Sequence, residues 1–137
     1  MQYYQHKVQY YETDTMKIVH HSNYIRWMEE ARVAFLESIG WGYDRLEQDG
    51  VVSPVTSVDC KYKISTRFPE LVRIAVKVEE FRGVKLKLYY EMLNAKDEVV
   101  CEAHSEHCFL DADGNIMRLK KTHPEFSEAL TRLAEQV

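Results

Sequence analysis

The chain has 137 residues, 45% hydrophobic and 29% charged, with five Gly and three Pro, which excludes a disordered or low-complexity protein and suits one domain, 1–137, with a real core. Its formal net charge of −4 gives no general drive toward nucleic acid, and its cysteines, Cys60, Cys101 and Cys108, lack CxxC spacing and read as reduced thiols. No window approaches the roughly eighteen apolar residues of a membrane span, and "MQYYQHKVQYY" has neither the cationic start nor the apolar run of a secretory leader, so the expectation is a soluble cytoplasmic protein.

Residues 3–11 are aromatic and β-prone, a first strand. A polar loop, "ETDTMKIVHHSNY", then delivers the chain to a helix in which Tyr24, Trp27, Met28, Ala31, Ala34 and Phe35 recur at helical spacing. Ser22 or Asn23 is the N-cap candidate and Gly40 the C-terminal stop. A shorter helix is predicted over 43–49.

After Gly50 the period changes to two. Val58, Cys60, Tyr62 and Ile64 alternate with polar residues, as do Val72, Ile74, Val76 and Val78, and then Val84, Leu86, Leu88, Tyr90 and Met92. Such alternation means antiparallel strands with one covered face. "FRGV", "NAKDE" and "DADGN" supply the turns, a last strand covers 98–110, and Pro124 opens a closing helix. The order predicts an α+β fold, a five-stranded antiparallel sheet wrapped around the long aromatic helix. Its free edges predict a homo-oligomer.

Asp14 is the first chemical candidate. A loop Asp commonly makes an Asx turn, but a carboxylate beside a helix N-terminus is also a minimal kit for acyl hydrolysis, since backbone N–H groups there can hold an oxyanion. Adjacent side chains point different ways, so at most one of His20 and His21 shares a pocket with Asp14. His104 and His107, three apart on a strand, face opposite sides, and no metal site is expected. There is no G-x-S-x-G, phosphate loop or dinucleotide fingerprint. Among the basic residues, most of which read as the sheet's solvated face, Arg82 and Lys85 at one hairpin are candidates for the phosphates of a polyanionic ligand.

The stretch from Asp14 through Lys17, Val19, His21, Tyr24, Trp27, Glu29 or Glu30, Ala31 and Arg32 resembles the D-x-x-G-x-V-x-[HY]-x-x-Y-x-x-[WF]-x-E-x-A-R signature of hot-dog-fold acyl-CoA thioesterases. The branch is that of 4-hydroxybenzoyl-CoA thioesterase and the Tol–Pal-associated enzyme. The resemblance implies that Asp14 acts as nucleophile or general base on a thioester of coenzyme A or acyl carrier protein. It implies that the helix N-terminus at His21 polarises the carbonyl, and that Tyr24 contacts substrate. It further implies a homodimer or homotetramer with sites at the dimer interface, and no cofactor beyond the coenzyme A of the substrate. The alternatives are a hot-dog dehydratase or hydratase and a non-catalytic acyl-CoA-binding protein. One departure stands out: Lys17 occupies the family's Gly, where a left-handed backbone would cost a Lys.

Overall fold

The computed structural model describes residues 2–136. The first strand is shorter than the aromatic run suggests: β1 covers Tyr4–Lys7, and the chain then turns through a single 3-10 turn at Tyr10–Glu12. The long helix α1 is Ser22–Ser38 and the short α2 is Tyr43–Gln48. Strands β2 (Val55–Tyr62), β3 (Leu71–Phe81), β4 (Lys85–Leu93) and β5 (Val99–Cys108) follow, and helices α3 (Leu119–Thr122) and α4 (Pro124–Glu135) close the chain. All strand pairs are antiparallel, in the order β1-β3-β4-β5-β2.

The helix ends where its glycine permits. Gly40 takes a left-handed φ of 85°, so the Gly40 N–H reaches the Glu37 carbonyl at 3.0 Å and the Trp41 N–H reaches Leu36 at 2.9 Å. These two bonds make a Schellman cap. Within α1, Trp27, Met28 and Ala31 are buried against the row Ile74, Leu88, Tyr90 and Met92, and one continuous apolar core joins helix, sheet and α4. Each large side chain so buried stabilises the fold by roughly 1.5–3 kcal/mol.

The inner face also carries a polar chain. Arg32, buried under α1, donates to the hydroxyls of Tyr43 and Tyr90, both at 3.0 Å; Tyr90 meets Ser105 at 2.6 Å, and Ser105 meets His107 Nε2 at 2.7 Å. His107 Nδ1 has no partner among the described residues. Burial first, and the charge of Arg32 second, pull the His107 imidazole down to about 4. The unfolded chain therefore takes up a proton as pH falls below about 6.5 that the folded chain refuses until about 4. Folding stability should fall by roughly 3 kcal/mol across that window. His107→Gln, which can still bond Ser105, should flatten this limb in urea titrations at pH 7, 5 and 4. An unchanged limb would move the acid sensitivity elsewhere.

The sheet's two edges differ. β1 is only four residues long, whereas β2 has eight residues and an unpaired side. Along β2 the helix covers the inward row only in part: Cys60 meets Met28 and Tyr62 meets Tyr24, yet Val58 is 40% and Tyr62 47% exposed. Ile25 on α1 is exposed too. An exposed edge with an apolar flank is a template for pairing with another strand.

Candidate active site

Asp14 stands in a tight hairpin. Thr13 and Val19 pair across it, the Asp14 N–H donates to Ile18 at 2.9 Å and the Lys17 N–H returns to the Asp14 carbonyl at 2.9 Å. The turn closes through Lys17, whose φ of 64° is left-handed. A turn followed by one left-handed residue is a hairpin geometry that favours Gly at that last position. The Gly-to-Lys departure thus leaves the backbone shape intact and places strain on Lys17. Lys17→Gly should raise stability by about 1 kcal/mol in thermal or urea unfolding; a loss instead would mean that the side chain contributes more than the backbone costs.

The Asp14 side chain has two jobs available. Its Oδ1 accepts the Met16 N–H at 2.8 Å, which is the Asx turn. Its Oδ2 accepts no hydrogen bond from the described residues and is left for a ligand or water. Asp14 is half-buried and borders a cleft of ≈ 290 Å³ with Met16, Ile18, His21, Tyr62 and Ile64.

The door of α1 is built differently from the expectation. Ser22 and Asn23 are already helical, and neither caps. The N-cap position is His21, whose side chain makes no cap bond; the preceding His20 does the capping, its Nδ1 accepting the Ser22 N–H at 3.2 Å and lying 2.8 Å from the Ser22 hydroxyl. Around it the His20 N–H donates to Glu12, Asn23 to the His20 carbonyl and Tyr24 to the His21 carbonyl. Of the N–H groups from 20 to 24, only that of His21 lacks an acceptor among the described residues. It is the one backbone donor at this helix end free to meet an oxyanion. The His21 ring is exposed, tilted against His20 with centroids 4.2 Å apart and edge-on to Tyr62 at 6.2 Å.

Glu12 ties this loop to the core, a role that no motif or periodicity in the chain marks. It is 4% exposed, and its carboxylate accepts from the Gln9 N–H at 2.7 Å, from Trp27 Nε1 at 2.7 Å and bonds His6 Nε2 at 2.9 Å. Burial alone would raise its carboxyl; the Gln9, His6 and Trp27 bonds outweigh that and hold it below the ordinary carboxylate range. The other His6 nitrogen and the Tyr4 hydroxyl meet Glu30, at 3.1 and 2.7 Å. Of the two glutamates the motif allows, Glu30 is thus the one bound to β1. Strand, loop and helix are pinned together two residues from Asp14.

Tyr24 lines the Asp14 cleft, yet it is 3% exposed and its hydroxyl is bonded to Thr66 at 2.7 Å. It serves mainly as a wall. Arg82 and Lys85 lie elsewhere. Residues 66–70 meet the Asp14 loop, through Val19 N–H to Thr66 and Val8 N–H to Glu70, and β3 then runs eleven residues away from it to the Arg82 hairpin, a span of roughly 30 Å. There Arg82 pairs with Glu80, and Lys85 with Glu106 at 3.4 Å. Within one chain the fold does not bring them to Asp14. Tyr62 and Ile64, which it does bring, read in the sequence only as strand-face residues. No group of three His, Cys, Asp or Glu among the described residues is placed to hold a metal ion, and no helix among them is long and apolar enough to cross a membrane.

Comparison with known proteins gives a consistent result. The family described as the thioesterase-like superfamily matches residues 8–132. The chain is 32% identical to the Bacillus subtilis (strain 168) protein named "Putative acyl-CoA thioesterase YneP", over 90% of each chain. It is 25% identical to the acyl-CoA thioester hydrolase YbgC of Escherichia coli O157:H7, over 71% of this chain and 72% of that one. The crystal structure of a DHNA-CoA thioesterase from Staphylococcus aureus superposes with a TM-score of 0.91 at 30% identity, covering 96% of this chain and 89% of that one.

Proposed function

The chain belongs to the thioesterase-like superfamily, and from that premise we propose that it hydrolyses acyl-coenzyme A thioesters at the Asp14 cleft. The observation that carries the reading is the pairing of an uncommitted carboxylate oxygen, Asp14 Oδ2, with an uncommitted backbone donor, the His21 N–H, along one cleft. The two supply what thioester hydrolysis requires. The N–H donates a hydrogen bond to the carbonyl oxygen as negative charge develops on it. The carboxylate either attacks the carbonyl carbon, giving a mixed anhydride that water then cleaves, or takes a proton from an attacking water. In both routes the C–S bond breaks and the sulfur leaves as a thiolate, which needs little help from an acid. No metal or redox cofactor enters this reading. The finer placement, in the branch of 4-hydroxybenzoyl-CoA thioesterase and the Tol–Pal-associated enzyme, rests on the Asp14–Arg32 motif, and a cytoplasmic location is part of the same proposal.

The working unit proposed is a homodimer joined through β2. The unpaired edge of β2, its exposed row of Val58 and Tyr62, and Ile25 on the adjoining helix support that pairing. Tyr62 and Ile64 belong both to that edge and to the Asp14 cleft, so a partner chain would close the cleft's open side. The sheet's outer face, by contrast, is lined with paired charges such as Lys63–Glu102 and Lys87–Glu79, which does not favour dry packing of a tetramer there.

The test is a panel of acyl-CoAs, aliphatic and aromatic, followed by release of free thiol. Turnover of at least one member is expected. Absence of turnover across the panel, with a folded protein, would sink the reading.

A further inference from the structure

Asp14 lines a second cleft, on its other side, of ≈ 420 Å³. Where the first cleft is walled by Met16, Ile18 and Ile64, the second is walled by the hydroxyl-bearing Tyr10, Thr13 and Thr15 together with Lys17 and Phe68. Tyr10 and Phe68 stand edge to face, with ring centroids 5.8 Å apart, yet are 77% and 47% exposed. Two rings in edge contact that stay this exposed leave ring surface open to a third planar group. Lys17 lines the same cleft, and the exposed Arg67 immediately precedes Phe68. Neither has a carboxylate within ion-pair distance among the described residues, in contrast to Arg82, Lys85, Lys63 and Lys87. Within the cleft Lys17 stands opposite the Asp14 carboxylate, and Arg67, next to Phe68 in the chain, adds an exposed cation near its rim.

Resting on the thioesterase reading, we propose that this second cleft receives the phosphorylated, nucleotide-bearing arm of coenzyme A, its adenine stacking on Tyr10 or Phe68 and its phosphates meeting Lys17 and Arg67. The pantetheine arm then leads from that cleft to the scissile thioester at Asp14, with the acyl group in the first cleft beside Met16, Ile18 and Ile64. The proposal gives Lys17 a reason to hold a position better suited to Gly: strain of this kind persists where a side chain is used. It also separates two substrates that share a pantetheine arm. A carrier-protein thioester has no adenine to offer, so a site built for the nucleotide selects coenzyme A.

The experiment has two arms, both on the full chain. In the first, adenosine 3′,5′-bisphosphate is titrated calorimetrically into wild type, Phe68→Ala, Arg67→Gln and Lys17→Gly. Wild type should bind, and Phe68→Ala should weaken binding about ten-fold; Lys17→Gly should weaken it while leaving a protein at least as stable. In the second arm, kcat/KM is compared for one acyl group carried on coenzyme A and on pantetheine. The ratio should favour coenzyme A at least ten-fold in wild type, as expected for charged and stacked contacts, and collapse toward one in the variants. No binding by wild type, or a ratio near one, overturns the proposal. So does a Phe68→Ala variant that loses self-association but keeps its nucleotide affinity, because the rings then serve a second copy of the chain. Nucleotide binding that the variants abolish, in a protein that cleaves no thioester, upholds the nucleotide site and overturns the catalytic reading alone.

Discussion

Asp14→Asn should lower acyl-CoA hydrolysis by about a thousand-fold or more, the range expected when a nucleophile or general base is lost, while the protein keeps its melting temperature. The substitution is informative because the proposed catalytic duty of Asp14 is separable from its structural one. An Asn Oδ1 can still accept the Met16 N–H that shapes the loop, and the backbone bonds to Ile18 and Lys17 do not involve the side chain. What is lost is the charge on Oδ2 and its ability to attack or to take a proton. Asp14→Ala removes both duties and should add a modest loss of stability to the same loss of rate. Free-thiol release and circular dichroism on both variants distinguish the effects. Full activity in the Asn variant at unchanged fold would remove Asp14 from the chemistry. Activity reduced only in proportion to lost fold would return it to the role of a turn residue.

Val58→Asp is expected to have the second largest effect. Val58 sits on the edge strand β2, which pairs with β5 on one side, and is 40% exposed in the single chain, so the protomer's own core depends little on it. In a homodimer joined through β2 the same residue lies in or beside the seam. A carboxylate there would be desolvated, and its symmetry mate would bring a second one, a combination that interfaces do not tolerate. The variant should sediment as a monomer at micromolar concentration, against a dimer for wild type. Because Tyr62 and Ile64 extend from this edge into the Asp14 cleft, hydrolysis should fall by roughly a hundred-fold, the scale on which misplaced site groups cost rate. Val58→Thr, neutral and β-branched, should remain dimeric and active. A dimeric, active Val58→Asp protein would locate the interface on some other surface.

Much of the architecture was legible along the chain because it depends on period. The spacing of Tyr24, Trp27, Met28 and Ala31 marks a helix with one buried side, and alternation through Leu86, Leu88, Tyr90 and Met92 marks strands with one covered face; the structure buries those residues. Gly40 and the Arg82–Gly83 turn were readable for a similar local reason, since each needs a left-handed residue where glycine stands. The aromatic run at the start misled, because strand length depends on the partner: β1 stops at Lys7, where the chain turns to let Glu12 reach His6 and Trp27.

The site was legible only in part. Asp14 and the helix start at His21 lie within a few residues of each other, so a sequence motif can hold them. The capping role of His20, the burial of Glu12 and the commitment of Tyr24 to Thr66 all depend on which atoms face each other after folding. Arg82 and Lys85 show the limit most clearly. A basic residue near a turn has the same appearance whether its neighbour across the sheet is a phosphate or Glu106, and only the register of β4 on β5 decides. By itself, then, the sequence determined the helix, the strands, their covered faces and the carboxylate loop, because these follow from near neighbours and simple periodicity. Only the tertiary structure decided which donors remain unspent, which cations remain unpaired and that Asp14 stands between two clefts, because each of those depends on groups brought together from distant parts of the chain.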